Sequence, residues 1–292
     1  MPPLAMKRRT RKSKRRPARQ REQREPAIPP RAARRRAQTD APLRSRRPVS
    51  LVTGSTRGIG LAIALRLARD GHAVALNYLH EGRSAGRALA QVRRLSPASM
   101  AVRADVANPA HCERLVKAVI AEFGRLDVLV NNVGPFQTHD FAAMSEAEWR
   151  RALDGNLSAA AHCMRHALRR MRRQGCGSVV NIGALHTDIS PGGVLEAPAY
   201  YAAKSALMTL TRSLARTEGR HGIRVNAVSP GFIETENYAS LPRRLRRLWE
   251  GSIPLGRFGT PDDVAEAVAY LVSERGRYVS GAVLHVDGGL WL

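Results

Sequence analysis

Two side chains four residues apart, Tyr200 and Lys204 in PAYYAAKSAL (198 to 207), have the types and spacing to manage a proton. A free phenol, with a pKa near 10, is a poor acid or base at neutral pH unless a nearby cation stabilises its anion. On a helix a spacing of four puts both side chains on one face, so Lys204 is placed to be that cation. Taken alone, the same pair reads more simply as a surface hydrogen bond.

A second stretch offers different chemistry. TGSTRGIG (53 to 60) ends an apolar run and carries glycines at 54, 58 and 60. A turn without side chains lets the backbone approach a pyrophosphate, and the N-terminus of the helix that follows supplies free N–H groups and a positive dipole end. The cluster follows a strand, opens a helix and lies inside a βαβ unit, which is the context a dinucleotide site requires. Gly54, Ser55, Thr56, Arg57, Gly58, Ile59 and Gly60 are therefore read as the phosphate cradle. An NAD site would place a carboxylate for the ribose at the end of the second strand. Asn77, Tyr78, Leu79 and His80 stand there instead, with Arg57, His80 and Arg83 close by, which favours the extra phosphate of NADP(H).

The elements that must position these residues follow from periodicity. Strands are expected at 49 to 53, 72 to 78, 99 to 105, 126 to 132, 177 to 183, 223 to 229 and 282 to 288. Helices are expected at 58 to 71, 83 to 95, 109 to 123, 145 to 153, 157 to 174, 199 to 219 and 261 to 273, while 231 to 256 reads as irregular and polar. Pro109 sits near one helix start, and Thr260 with Pro261 forms a cap and first-turn proline at another. Short apolar runs alternating with helical periodicity predict a single doubly wound α/β Rossmann domain over 48 to 292 with a seven-stranded parallel sheet. No internal repeat is visible.

Composition bounds the rest. The chain has 292 residues, is 43% hydrophobic and carries a formal charge of +24. Residues 1 to 48 hold 18 Lys or Arg against 3 Asp or Glu, leaving 30 against 21 for the remainder. That start is proline-rich, free of aromatic residues and without apolar periodicity, so 1 to 47 is expected to be a disordered basic extension. It could hold nucleic acid, act as a transit peptide, or reflect a coding bias that gives 43 Arg to 5 Lys in the whole chain. No stretch has the length of a membrane span and no secretory signal is evident, which points to the cytoplasm. Cys112, Cys163 and Cys176 match neither metal nor redox spacing, so no metal site is read and the thiols are expected to be buried or idle.

From about residue 48 onward the chain resembles the short-chain dehydrogenase/reductases, close in pattern to the 3-oxoacyl-(acyl carrier protein) reductases. The motifs, in family order, are TGSTRGIG (53 to 60), ADV (104 to 106), NNVG (131 to 134), the Asn of DGNLSA, YYAAK (200 to 204), VNAVSPGFIET (225 to 235), PLGRFGTPDDVAEAVAYLVSE (254 to 274) and VDGG (286 to 289). The resemblance implies that Asp105 and Val106 line the adenine, that Asn131 supports the fourth strand and the cofactor beside it, and that Asn132, Val133 and Gly134 border the cofactor, with Val133 in place of the usual alanine. It implies that Pro230, Gly231, Ile233 and Thr235 flank the nicotinamide. Tyr200 would donate the proton, Lys204 would stabilise the phenolate and hold the nicotinamide ribose, and Asn156 would anchor the water that replaces the proton. A homotetramer is also implied.

One family residue is missing. The family's serine follows the fifth strand and hydrogen-bonds the substrate carbonyl. Here VVNIG runs into Ala184, whereas counting thirteen back from Tyr200 gives Thr187. A short insertion in HTDISPGG reconciles the two, with Thr187 first in line to supply the hydroxyl; His186, Asp188 and Ser190 are further candidates, and pteridine reductases place an aspartate at this step. The stretch 232 to 256 resembles a substrate lid. Its Arg243, Arg244, Arg246 and Arg247, with RHALRRMRRQ (165 to 174), form a basic face for an acidic acyl carrier protein or simply solvated helix surfaces. Three functions remain in view: an NADPH-dependent reductase of a 3-oxoacyl thioester, a reductase of a pterin or small diketone, and a dinucleotide-binding sensor or scaffold that has lost catalysis.

Overall fold

A computed structural model describes residues 47–80, 83–138, 140–185, 197–238 and 241–290. The expectation of a disordered extension over 1 to 47 lies outside these residues apart from Arg47, as do His186, Thr187, Asp188 and Ser190.

Seven strands, β1 (Val49–Val52), β2 (Ala73–Tyr78), β3 (Met100–Arg103), β4 (Val128–Asn131), β5 (Gly177–Ile182), β6 (Ile223–Pro230) and β7 (Val283–Val286), form one sheet in the order β3-β2-β1-β4-β5-β6-β7. Every pairing is parallel. Such a sheet is covered on both faces, which is why β1, β2 and β5 read as nearly unbroken apolar runs. One apolar layer joins the sheet to α1 (Gly58–Arg69), α2 (Arg83–Leu95) and α8 (Pro261–Val272). The opposite layer holds α3 (Pro109–Phe123), α5 (Ala159–Gln174) and α6 (Pro198–Glu218). The strand order reverses between β1 and β4, so a crevice opens at the carboxyl ends of those two strands.

Local chemistry fixes the helix ends. Asn108 caps α3 by accepting from the N–H groups of Ala110 and His111, Pro109 opens the first turn, and Gly124 closes the helix at φ 73°. Thr260 and Asp263 form a reciprocal capping box at α8, with Pro261 in the first turn. Thr260→Ala is expected to lower stability by about 1 kcal/mol, read as a lower denaturation midpoint, because it removes the acceptor for the Asp263 N–H.

Two expectations need correction. Residues 231 to 256 are not irregular throughout: they contain a turn of 3₁₀ helix, Glu236–Tyr238, and the helix α7 (Arg243–Gly251). Arginines at four of its nine positions hide the helical repeat, and none of its residues is fully buried. Leu245, Leu248 and Trp249 keep an i, i+3, i+4 spacing among them, and Trp249 packs with Leu241 on Leu185, Phe232, Ile253 and Phe258. Nor are the two helices expected at 145 to 153 and 157 to 174 separate. α4 (Glu146–Leu153) runs into α5 through a wide π turn, Asp154–Ser158, and Asn156 is buried inside it. No helix among the described residues is long and apolar enough to cross a membrane.

Candidate active site

The loop after β1 is built for close approach. Gly54 and Gly58 hold φ of 59° and 51°, in the left-handed region that favours glycine. A side chain at Gly60 would collide with the Gly54 carbonyl oxygen and come within 2.6 Å of Asn132 Nδ2. Arg57 is the N-cap of α1, yet its side chain does not cap the helix, and the first turn holds no acid. The leading N–H groups of α1 therefore face a crevice bordered by Thr56, Ile59 and Gly58 without a competing side-chain acceptor.

Several residues expected to touch the cofactor also hold the loop. Ser55 is fully buried beneath it: its hydroxyl donates to the Val52 carbonyl at 2.8 Å and accepts from the Asn77 N–H at 3.1 Å. The Asn77 side chain accepts from the Gly54 N–H at 3.3 Å and donates to the Ala104 carbonyl at 3.0 Å, so it ties β2 to β3 and to the loop. Asn132 donates its amide to the Thr53 and Gly54 carbonyls, each at 3.0 Å. Tyr78, Leu79, His80, Asp105, Val106, Val133 and Gly134 border the same groove. Arg57 reaches across it to Glu236 at 2.5 Å, an ion pair between two exposed side chains.

The groove continues to Tyr200 and Lys204 in the first two turns of α6, and Pro230, Gly231, Ile233 and Thr235 line it as well. Lys204 is buried, donates to the Ile182 carbonyl at 2.9 Å, and lies 5.8 Å from the centre of the Tyr200 ring. Burial pushes the lysine down to about 8 and the phenol up, the latter assisted by neighbouring Tyr201 and Tyr238. The phenol is thus held neutral, the form that can give a proton, beside an ammonium that titrates close to neutrality. A side chain at Gly134 would come within 2.7 Å of Lys204 Nζ and 2.8 Å of Asn156 Oδ1, so only glycine lets these groups sit together. Asn156 donates to the carbonyls of Pro135 and Ala152, which leaves its buried Oδ1 without a partner among the described residues. Asn156 lies within the π turn, a feature that inside helices often marks functional positions.

At the place of the missing serine, Ala184 lines the groove with a methyl group, and its carbonyl accepts from the Ser229 hydroxyl. The mouth is aromatic. Phe136 and Tyr201 stand edge-on to Tyr200, with ring centres 5.0 and 5.4 Å away. Phe232 stacks on Trp249 at 4.8 Å, with Tyr238 and Phe258 against them. Phe136, Tyr201, Tyr238 and Arg151 escaped the sequence reading; the YY doublet and the PF pair after NNVG were the available signals. Of the arginines read as a basic face, Arg246 is tied to Glu234 and Glu250 and Arg172 to Glu218, while Arg243, Arg244 and Arg247 are exposed.

The residues present fit a nicotinamide dinucleotide: an open helix N-terminus, a cradle that a Cβ at Gly60 would fill, and the orphaned Asn156 Oδ1 beside Lys204. Fold and groove together have the form of an oxidoreductase that works with such a cofactor. Residues 54–291 match the family described as enoyl-(acyl carrier protein) reductase. The 3-oxoacyl-(acyl carrier protein) reductase FabG of Staphylococcus aureus is 37% identical over 243 residues, covering 83% of this chain and 98% of its own length. The cis-4-hydroxycyclohexanecarboxylate dehydrogenase of Sinomonas cyclohexanicum is 40% identical over 248 residues, covering 82% and 95%. A solved chain from Sinorhizobium meliloti, described as a short-chain alcohol dehydrogenase, superposes with a TM-score of 0.79 at 31% identity, covering 85% of this chain and 98% of its own. The chain belongs to the short-chain dehydrogenase/reductase family.

Proposed function

We propose that the chain is an NADP(H)-dependent reductase of a carbonyl substrate, with a 3-oxoacyl thioester as first candidate. The observation that carries this reading is the buried Lys204 ammonium set 5.8 Å from the Tyr200 ring, where both open on the groove that runs to the glycine loop. When bound, the cofactor supplies the hydride that the carbonyl carbon accepts. Tyr200 gives its proton to the carbonyl oxygen, so C=O becomes CH–OH and the phenol is left as phenolate. Lys204 stabilises that anion through charge. Asn156 offers its free Oδ1 to a water through which the proton is replaced. Thr187, or else Asp188 or Ser190, takes the place of the serine that Ala184 lacks and holds the carbonyl oxygen.

The cofactor choice rests on charge. Among the described residues the end of β2 presents no carboxylate to repel a 2′-phosphate, and His80, Arg87 and Arg57, the last paired to Glu236, border that end of the groove. The aromatic mouth and the relative named for a hydroxycyclohexanecarboxylate favour a second reading of the substrate, an alicyclic ketone. A homotetramer, and encounter with an acidic carrier through Arg243, Arg244 and Arg247, complete the proposal; sedimentation tests the former.

The test follows cofactor oxidation by the wild-type protein with acetoacetyl thioester, a pterin, a small diketone and a cyclic ketone, each with NADPH and with NADH. NADPH is expected to be preferred by about 10-fold or more, as one charge-assisted phosphate contact implies. Equal use of NADH would remove the cofactor assignment. Bound NADPH without turnover on any of the four would remove the reductase.

A further inference from the structure

The groove contains an arginine with no assigned work. Arg151, on α4, lines both the main groove and a smaller hollow beside it, and Tyr200 lines both as well. Pro135, Gln137, Ala152 and Ala199 complete the smaller hollow. Arg57, at the other end, is engaged by Glu236, and Arg87 lies toward the adenosine end on α2. The exposed Arg151 side chain makes no hydrogen bond or ion pair among the described residues, and Asp154, one turn further along, borders the groove without its side chain pairing to it.

The surroundings say what such a guanidinium would meet. Phe136 and Tyr201 flank the Tyr200 ring at 5.0 and 5.4 Å, and Tyr238, Leu241 and Trp249 line the same groove. Flat aromatic walls suit a ring better than a flexible chain, since ring faces stack and meet edge-on at such separations. A guanidinium fork at the margin of that wall matches a carboxylate in two parallel hydrogen bonds.

The geometry points to Arg151 as a specificity-determining residue that binds the carboxylate of an oxo acid, whose carbonyl, carried on an apolar ring, is presented to Tyr200. This inference rests on the reductase reading above and narrows its substrate class. The hydride and proton go where they went before; the carboxylate takes no part in bond making and sets position alone. Arg151 acts by fixing the distance between the anionic end and the reacting carbon, which the enzyme exploits as pre-organisation.

The test compares 4-oxocyclohexanecarboxylate with its methyl ester as substrates for wild type, Arg151→Gln and Arg151→Lys, using NADPH. In wild type the acid is expected to exceed the ester in kcat/KM by about 10- to 100-fold, the range for a hydrogen bond to a charged group. In Arg151→Gln that preference collapses toward one, with most of the loss in KM for the acid; Arg151→Lys, which keeps charge and loses the fork, recovers part of it. A preference unchanged by Arg151→Gln overturns the inference and leaves the reductase standing. Binding of the unreactive cyclohexanecarboxylate to the NADP-loaded protein, followed by calorimetry, separates the remaining cases. Binding that weakens in Arg151→Gln, with no turnover of either ketone, supports the carboxylate site and removes the reductase. No binding by wild type and no selection of the acid overturn the site itself.

Discussion

Tyr200→Phe is expected to cut kcat for carbonyl reduction by about 10²- to 10⁴-fold, the usual contribution of a positioned general acid. The substitution deletes one hydroxyl and keeps the ring, so the edge-on contacts with Phe136 and Tyr201 at 5.0 and 5.4 Å persist. No hydrogen bond among the described residues depends on that hydroxyl, and the denaturation midpoint is therefore expected to move little. Burial is the largest reason the phenol stays protonated, with Tyr201 and Tyr238 adding to it, which suits a donor at rest. Steady-state kinetics on whichever ketone the wild type reduces provide the check. Full turnover in the variant would show that the proton comes from elsewhere and would end the mechanism proposed for this site.

Lys204→Met is expected to lose activity and gain stability together. Burial alone lowers the lysine from 10.5 to about 8, a shift that corresponds to about 3 kcal/mol spent on holding the charge inside the fold. The group's folded pKa lies below its unfolded value, so the unfolded chain binds more protons between the two. The penalty is therefore complete below about pH 8 and fades as pH rises toward about 10.5. Methionine fills a similar volume without the charge and gives up the 2.9 Å bond to the Ile182 carbonyl and the cation's place 5.8 Å from the Tyr200 ring. Denaturation at about pH 7 is expected to find the variant more stable, with the gap narrowing near pH 10. Turnover is expected to drop by about 10² or more, because the phenolate loses its cation. In the wild type the same loss of charge lowers the reduction rate as pH climbs past about 8. A variant less stable than wild type at neutral pH would mean the ammonium is better solvated than its burial implies.

Much of the fold was legible because local and global signals agreed. The expected span of α3 coincides with Pro109–Phe123, since Asn108, Pro109 and Gly124 mark both ends in the sequence itself. α8 begins where Thr260 and Pro261 place it. Strand ends were read too long, as at 99 to 105 against Met100–Arg103: the Ala104 N–H still bonds the Tyr78 carbonyl beyond the strand's last residue, but Asp105 already belongs to the following turn. α7 was lost under its arginines, and the π turn has no signature in a pattern read for a 3.6-residue period. In the site, residue type announced Tyr200, Lys204 and the glycines. It could not tell which polar residues face the groove. Ser55 and Asn77 stand out as cofactor contacts by position, but their hydrogen bonds to the loop, which the structure shows, are not legible from residue type. Arg57 read as a free cation, and its tie to Glu236 joins residues 179 apart in sequence. Arg151 carried no motif at all; only the three-dimensional neighbourhood of Tyr200 distinguishes it from the chain's other arginines.

The π turn at Asp154–Ser158 also bears on how this chain can change length. α4 and α5 are one continuous rod whose two halves are kept out of phase by a single surplus residue. Deleting one position there would let the ordinary helix close, turning everything on one side by about 100° relative to the other. Asn156 would swing away from Gly134 and Lys204 while the rod itself stayed intact. Substitutions along α4 and α5 are graded in their effects, whereas a gain or loss of one residue is all or nothing. The segment is therefore a place where descendants of this sequence can diverge in letter and hardly at all in count.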